Sequence, residues 1–205
     1  MGFYSEQIVP RFTHLAMRSR PIGEIRARLL ASVHGEVLDV GFGSGLNLPH
    51  YPAAVSHVLA VEPSKVARKL AAPAIAAARF GVEYAGLDGQ KLSIPDRSVD
   101  CVVTTWTLCT IPDAATALKE FARVLKPGGR FVFAEHGLAP DAPVARWQNR
   151  LDGLQNRFAG GCHLNRKIDE LVSVSPLSIV SLDKFYIAGP RTHSYFYVGA
   201  AMRME

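Results

Sequence analysis

The sequence predicts an α/β fold. It expects a seven-stranded, mostly parallel sheet with helices on both faces and an antiparallel C-terminal strand. Three observations predict it. Residues 37–40 (VLDV) form an apolar run that enters a glycine-rich turn, Gly41-Phe42-Gly43-Ser44-Gly45. That order reads as a buried strand, a loop nearly free of side chains, and a helix start. Short apolar runs then alternate with amphipathic stretches in the rhythm β-α-β-α-β-β-α-β, as parallel strands joined by crossovers do. Two final strand-like runs, joined by Ala188-Gly189-Pro190, read as an antiparallel closing hairpin. In such sheets ligands bind beyond the carboxyl ends of the strands, near the point where strand order reverses, and the glycine turn lies at that edge.

The elements follow in order. Residues 3–20 read as one or two short helices broken near Pro10, and residues 21–33 as a better helix, with Pro21 in its first turn. Its apolar face is Ile22, Ile25, Leu29 and Leu30. Residues 36–40 are the first strand. A short helical turn at 46–51 precedes the second strand, 57–61. Ser64 suits the cap of a helix over 65–79, which Pro73 should kink or break. Residues 81–85 and 99–105 are the third and fourth strands. Residues 114–125 are an amphipathic helix stopped by Lys126-Pro127-Gly128-Gly129, before a fifth strand at 130–135. Residues 144–158 look helical, with Trp147, Leu151, Leu154 and Phe158 three and four apart, and Gly160-Gly161 breaks that helix. Helix 165–174 and strands 179–186 and 195–202 complete the chain.

Composition bounds the function. The 205 residues, 48% hydrophobic and 20% charged, are one ordinary globular domain. A net charge of +5 comes from dispersed Arg and Lys with no clustered run, so no nucleic-acid partner is expected. Cys101, Cys109 and Cys162 are odd in number and scattered, which fits a reducing, cytoplasmic compartment, and the apolar surroundings of Cys101 and Cys109 read as buried thiols. The N-terminus shows no basic-then-apolar leader. Gly2 fits the lipidation pattern poorly, with Ser5 one place too early. No apolar run is long enough to span a bilayer.

The turn spells GxGxG. A dinucleotide fingerprint wants GxGxxG, and the lysine of a phosphate loop is missing, so a pyrophosphate is not the natural guest. Glu62, ending the second strand, can accept hydrogen bonds from a ribose diol. Asp88, in the loop after the third strand, can accept from the exocyclic amine of adenine. Together these residues point to adenosine without a pyrophosphate.

VLDVGFGSG, AVEPS, LDGQKLSIPDRSVDCVV and EFARVLKPGGRFVFAEH resemble the successive motifs of class I S-adenosylmethionine-dependent methyltransferases, over about residues 36–136. TLCTIPD, FAEHG, GCHLNR and PRTHSYFYVGAA resemble, more narrowly, the methyltransferase-like thiol methyltransferases and their bacterial relatives. The resemblance implies a Rossmann-like fold and S-adenosyl-L-methionine as cofactor. It divides the single domain 1–205 into N-terminal helices or lid (1–35), cofactor-binding core (36–136) and acceptor segment with closing hairpin (137–205). It further implies that Asp39 and Gly41 line the methionine part and that Gly43 and Gly45 allow close backbone approach. Glu62 would hold the ribose, Asp88 with Gly89 the adenine, and Thr105 would lie beside the sulfonium. Animal members of the narrower group carry an N-terminal membrane anchor, which is not expected here. Phe42 stands where that group often has Cys.

Transfer from a sulfonium is an in-line displacement in which positioning supplies much of the acceleration. A thiol acceptor reacts as thiolate and needs only a base nearby, with no metal. His136, ending the fifth strand, is the candidate catalytic base. Cys162-His163 has the donor types of a metal pair, but adjacent ligands without a second pair argue against one. Trp106, His163 and Arg166 are the candidate substrate-binding residues. Leu108, Trp147 and His193 are secondary candidates for the same pocket, and Tyr4 for a lid. The expected activity is methylation of a small apolar acceptor, with a thiol leading. C- or O-methylation of a quinone-like metabolite is the alternative, and a nucleotide-binding oxidoreductase the more distant one.

Overall fold

The computed structural model describes residues 4–204, so the Gly2 reading falls outside the described residues. A wide helical turn at Tyr4–Ile8 leads into α1 (Val9–Ala16), and α2 (Arg20–Leu30) follows. Strands β1 (Gly35–Val40), β2 (Val55–Val61) and β3 (Gly81–Gly86) come next, with α3 (Lys65–Ala76) joining the second to the third. Then β4 (Val99–Thr105), α4 (Ala114–Val124), β5 (Leu125–His136), α5 (Ala142–Phe158), α6 (Ile168–Ser173), β6 (Leu177–Tyr186) and β7 (Tyr195–Arg203) complete the order.

The seven strands form one sheet in the order β3-β2-β1-β4-β5-β7-β6. β1 to β5 pair in parallel, and β7 runs antiparallel to both β5 and β6. The chain steps outward from β1 to β3 and then crosses back to β4, so the order reverses between β1 and β4. Val40 ends β1 between Val61 and Thr104, so the glycine turn opens beside the ends of both neighbours.

Strand alternation builds two cores. Leu38, Val40, Val102, Phe131 and Phe133 pack against Leu118 and Phe121 of α4. Val37, Cys101, Val103, Val132 and Ala134 face the other way, against Ile22, Ile25 and Leu29 of α2. Each fully buried Phe contributes about 1.5–3 kcal/mol relative to exposure.

Several boundaries differ from the sequence expectation. The turn at 46–51 contracts to a single 3-10 turn, Leu48–His50. Ser64 caps α3 by accepting from the Ala67 N–H, and the helix passes through Pro73 to end at Ala76. The stop signal at 126–129 is no gap between elements. Leu125 already pairs with Val99, and Arg130 resumes with Cys101, so the four residues bulge from a continuing strand. The helix expected from 165 starts at Ile168, because the Arg166 carbonyl is spent accepting from the Leu138 N–H. The apolar stripe of α5 faces outward: Trp147, Leu154 and Phe158 are all more than half exposed. Gln148 instead faces inward and ties the Gly137 and Thr192 carbonyls and the Ala139 N–H.

Candidate functional site

The glycine turn after β1 is held from three sides. Gly41, Gly43 and Gly45 all have positive φ. At Gly41 a Cβ would sit 2.0 Å from Thr107 Oγ1, so the loop after β4 packs directly on the backbone. At Gly43 (φ +59°) a Cβ would meet nothing nearer than the Gly41 carbonyl, 3.7 Å away. Conformation, not crowding, demands glycine there, and the backbone face stays open to a ligand. These features fit an extended adenosyl ligand.

Glu62 bridges that turn to the end of β2. Its two carboxylate oxygens accept from the Gly43 and Ser64 N–H groups, each at 2.7 Å. Burial pushes its pKa up, opposed by those two bonds. Each oxygen keeps a lone pair for a further donor. Asp88 is exposed and accepts from the backbone and side-chain N–H groups of Gln90. Gly89 is buried, and a Cβ there would lie 2.8 Å from Val40 Cγ1, so its glycine is required by packing.

Asp39 turns away from the loop into a buried network that sequence reading missed. It accepts from Asn47 Nδ2 at 3.0 Å and from the Tyr51 hydroxyl at 2.8 Å. Asn47 also contacts Thr105 Oγ1 at 3.1 Å and accepts from Arg26 Nε at 3.1 Å. Thr105 is thus bound to Asp39 through Asn47. The signal for Arg26 was a charge on the apolar face of α2, between Ile22 and Leu29. Burial lowers the Arg26 pKa to about 10 and raises that of Asp39 to about 6. In the unfolded chain Asp39 ionises near 3.8, so between these values the fold holds the extra proton. The stability linked to it is present below about pH 4 and lost as pH rises through about 6, about 3 kcal/mol in all. Urea unfolding from pH 4.5 to 7 should therefore show wild type losing stability relative to Asp39→Asn as pH rises.

Glu135 organises the other side. It is fully buried, and its carboxylate accepts the N–H groups of Thr107, Leu108 and Cys109 at 3.0–3.3 Å. A charged residue inside FVFAEH was its only sequence signal. Trp106, just before that loop, has φ +54°, a strained conformation for a bulky residue. Its ring lies edge-on to Phe196 and 4.7 Å under the Arg26 guanidinium. Its Nε1 is buried without a partner among the described residues.

His136 Nε2 lies 2.8 Å from Cys162 Sγ, and Cys109 Sγ lies 3.8 Å from Cys162 Sγ. The three ligand atoms sit within 4.8 Å of one another. Tetrahedral zinc bonds would separate an S and an N ligand by about 3.6 Å, so the 2.8 Å contact is too close for two ligands of one zinc ion. The structure therefore assembles three donors that scattered spacing did not reveal. His163 turns elsewhere: Nδ1 meets Asp152 Oδ2 at 2.9 Å and Nε2 meets Asn156 Nδ2 at 3.0 Å. Arg166 donates to the Leu108, Ile111 and Pro112 carbonyls. The Arg166 side chain braces the loop after β4, whereas the His163 ring is held by α5 and only its backbone N–H reaches that loop, at the Cys109 carbonyl. Leu108 lies in the core and Trp147 is more than half exposed on α5. His193 reaches Gln155 of α5 at 3.3 Å, and burial and the nearby His136 lower its pKa. His14, which the sequence reading passed over, contacts Ser44 in the glycine turn at 2.7 Å. Tyr4 meets Phe158 edge-on at 6.4 Å, on the α5 side rather than over the turn.

The sequence profile of a methyltransferase domain matches residues 38–133. Phosphatidylethanolamine N-methyltransferase of Cereibacter sphaeroides is 30% identical over 76% of this chain and 77% of its own. The chain belongs to the class I S-adenosylmethionine-dependent methyltransferases. Thiol S-methyltransferase TMT1B of Rattus norvegicus is 32% identical over 72% of this methyltransferase, which spans 62% of that relative's length. Thiol S-methyltransferase TMT1A of Homo sapiens is 29% identical over 95% of the chain and 80% of its own length. The solved S-adenosylmethionine-dependent methyltransferase of Mesorhizobium loti superposes with a TM-score of 0.66 at 22% identity, covering 91% of this methyltransferase and 99% of that chain. S-adenosyl-L-methionine is the cofactor. Among the described residues, no helix of the methyltransferase is long and apolar enough to cross a membrane.

Proposed function

We propose that this methyltransferase methylates the sulfur of a small, apolar thiol. In this reading Gly41, Gly43 and Gly45 give the cofactor a side-chain-free bed, and Glu62 accepts from its ribose hydroxyls. Asp88 and the Gly89 backbone meet the adenine. Asp39 acts through Asn47, which sets Thr105 at the methionine end. Trp106 borders the acceptor, while His163 and Arg166 hold the loop that shapes its pocket.

The cofactor supplies a methyl group on a positively charged sulfur, so transfer leaves a neutral thioether and the acceptor gives up one proton. His136 takes that proton. The observation that carries this role is His136 Nδ1: it is buried at the carboxyl edge of the sheet and has no partner among the described residues. A buried acceptor left bare costs about 1–3 kcal/mol, which a substrate donor would relieve. The two relatives named as thiol S-methyltransferases support sulfur as the acceptor atom.

The test is release of S-adenosylhomocysteine with a simple alkyl thiol, a hydroquinone and phosphatidylethanolamine in parallel. The expected result is S-methyl product from the thiol alone. Turnover of the hydroquinone or the lipid without the thiol would remove the thiol reading and leave the fold and cofactor untouched.

A further inference from the structure

Three segments far apart in sequence converge beyond the end of β5. Cys109 comes from the loop after β4, His136 ends β5, and Cys162 follows the break after α5. Backbone bonds over-determine their meeting. Glu135 holds the Cys109 N–H at 3.3 Å, the His163 N–H donates to the Cys109 carbonyl at 3.0 Å, and the Cys162 N–H donates to the Ala159 carbonyl at 3.2 Å. Gly160 and Gly161, with φ +64° and +88°, turn the chain so that Cys162 arrives there.

We propose that Cys162 is the positioning residue of His136. Its sulfur accepts the His136 Nε2–H, which fixes the ring with Nδ1 bare and aimed at the proton of the acceptor. The inference rests on the reading of His136 as the base. A neutral imidazole has one donor and one acceptor nitrogen, and the partner of one decides the role of the other. With Nε2 donating to sulfur, Nδ1 must be the acceptor, and it is the buried nitrogen left without a partner among the described residues. The Cys109 and Cys162 sulfurs lie 3.8 Å apart, and with Cys162 as the thiolate the Cys109 thiol is the donor between them. A sulfur that receives two donors is suited to the thiolate form. The arrangement uses Cys162 as a buried carboxylate is used to orient a catalytic histidine. In the step, the acceptor S–H bond breaks, its proton joins Nδ1, and its electron pair stays on the acceptor sulfur for the new S–CH3 bond.

The local charges agree. The Cys109 thiol and the neighbouring His136 draw the Cys162 pKa down despite its burial. Burial alone would lower the His136 pKa, but Cys162, with Glu135 and Asp152, carries it above the ordinary 6.5. Arg166 faces Cys109, Glu135, Cys162 and Asp152, and His193 faces His136 from the turn before β7. Below the raised pKa the ring carries both protons and Nδ1 cannot accept. The rate therefore rises with pH through that value.

Nitrogen-15 NMR of histidine-labelled protein reads the tautomer directly. Wild type should show the Nε2–H form of His136 at high pH and a midpoint above 6.5. A Nδ1–H form in wild type overturns the proposal, whatever the variants do. Cys162→Ala should cut kcat for an alkyl thiol about tenfold to a hundredfold. It should also move the acid limb to lower pH and leave cofactor Kd unchanged. Cys162→Asp should restore much of the rate and the acid limb. His136→Gln inactive with Cys162→Ala fully active overturns this inference alone. His136→Gln fully active overturns the base itself. One equivalent of bound zinc in wild type, lost in Cys162→Ala, would also overturn it.

Discussion

Glu135→Ala is expected to lower the unfolding free energy by about 3–5 kcal/mol, read as a shifted urea midpoint. The carboxylate is fully buried and accepts three consecutive backbone N–H groups, of Thr107, Leu108 and Cys109. Each buried donor left bare costs about 1–3 kcal/mol, and water entering the vacated space recovers part of that. Glu135→Gln keeps one carbonyl acceptor but turns an NH2 toward the same donors, so about half of the loss is expected. The loop that Glu135 anchors also carries Cys109 and borders Trp106. Methyl transfer should therefore fall further than the loss of folded protein explains. Full activity in folded Glu135→Ala would mean that the loop is held by its other contacts, chiefly the Arg166 guanidinium on the Leu108 and Ile111 carbonyls.

Glu62→Ala is expected to weaken S-adenosylmethionine binding by about tenfold to a hundredfold in a calorimetric titration, or about 1.4–2.8 kcal/mol. Two effects combine. The variant loses the acceptor proposed for the ribose diol. It also frees the Gly43 and Ser64 N–H groups, each held at 2.7 Å, so the glycine turn loses its tie to the end of β2. Because burial raises the Glu62 pKa, its anionic form is lost at a higher pH than an exposed glutamate would lose it. Cofactor affinity should fall as the solution is acidified through that raised value, and the variant should lack this dependence. Unchanged affinity in Glu62→Ala would remove Glu62 from the ribose site.

Much of this molecule is written locally. A β-branched run into GxGxG has few physical solutions, since only glycine takes three alternating positive φ values cheaply. Ser64 capped the helix it was expected to cap, because an N-cap is decided within four residues. The single antiparallel strand followed from the turn signal at Ala188-Gly189-Pro190 between the last two strands. Where reading failed, a distant partner had overridden the local signal. Helix 165–174 lost its first turn to the pairing of Arg166 with Leu138. The spacing of Trp147, Leu154 and Phe158 named the helix correctly and left open which way it faces. Burial depends on what packs against α5, and there the buried residue is the polar Gln148.

The sequence by itself determined the sheet, the glycine turn at its switch point and the acid that ends the second strand, because periodicity and backbone sterics are local. It also placed His136 at the end of the fifth strand, on the carboxyl edge of the sheet. Only the tertiary structure decided what His136 touches. Cys109 and Cys162, separated by 53 positions and unremarkable in spacing, meet it through strand order and one loop anchored on Glu135. Hydrogen bonds and the pKa shifts they cause depend on distances through space, and no spacing along the chain encodes those.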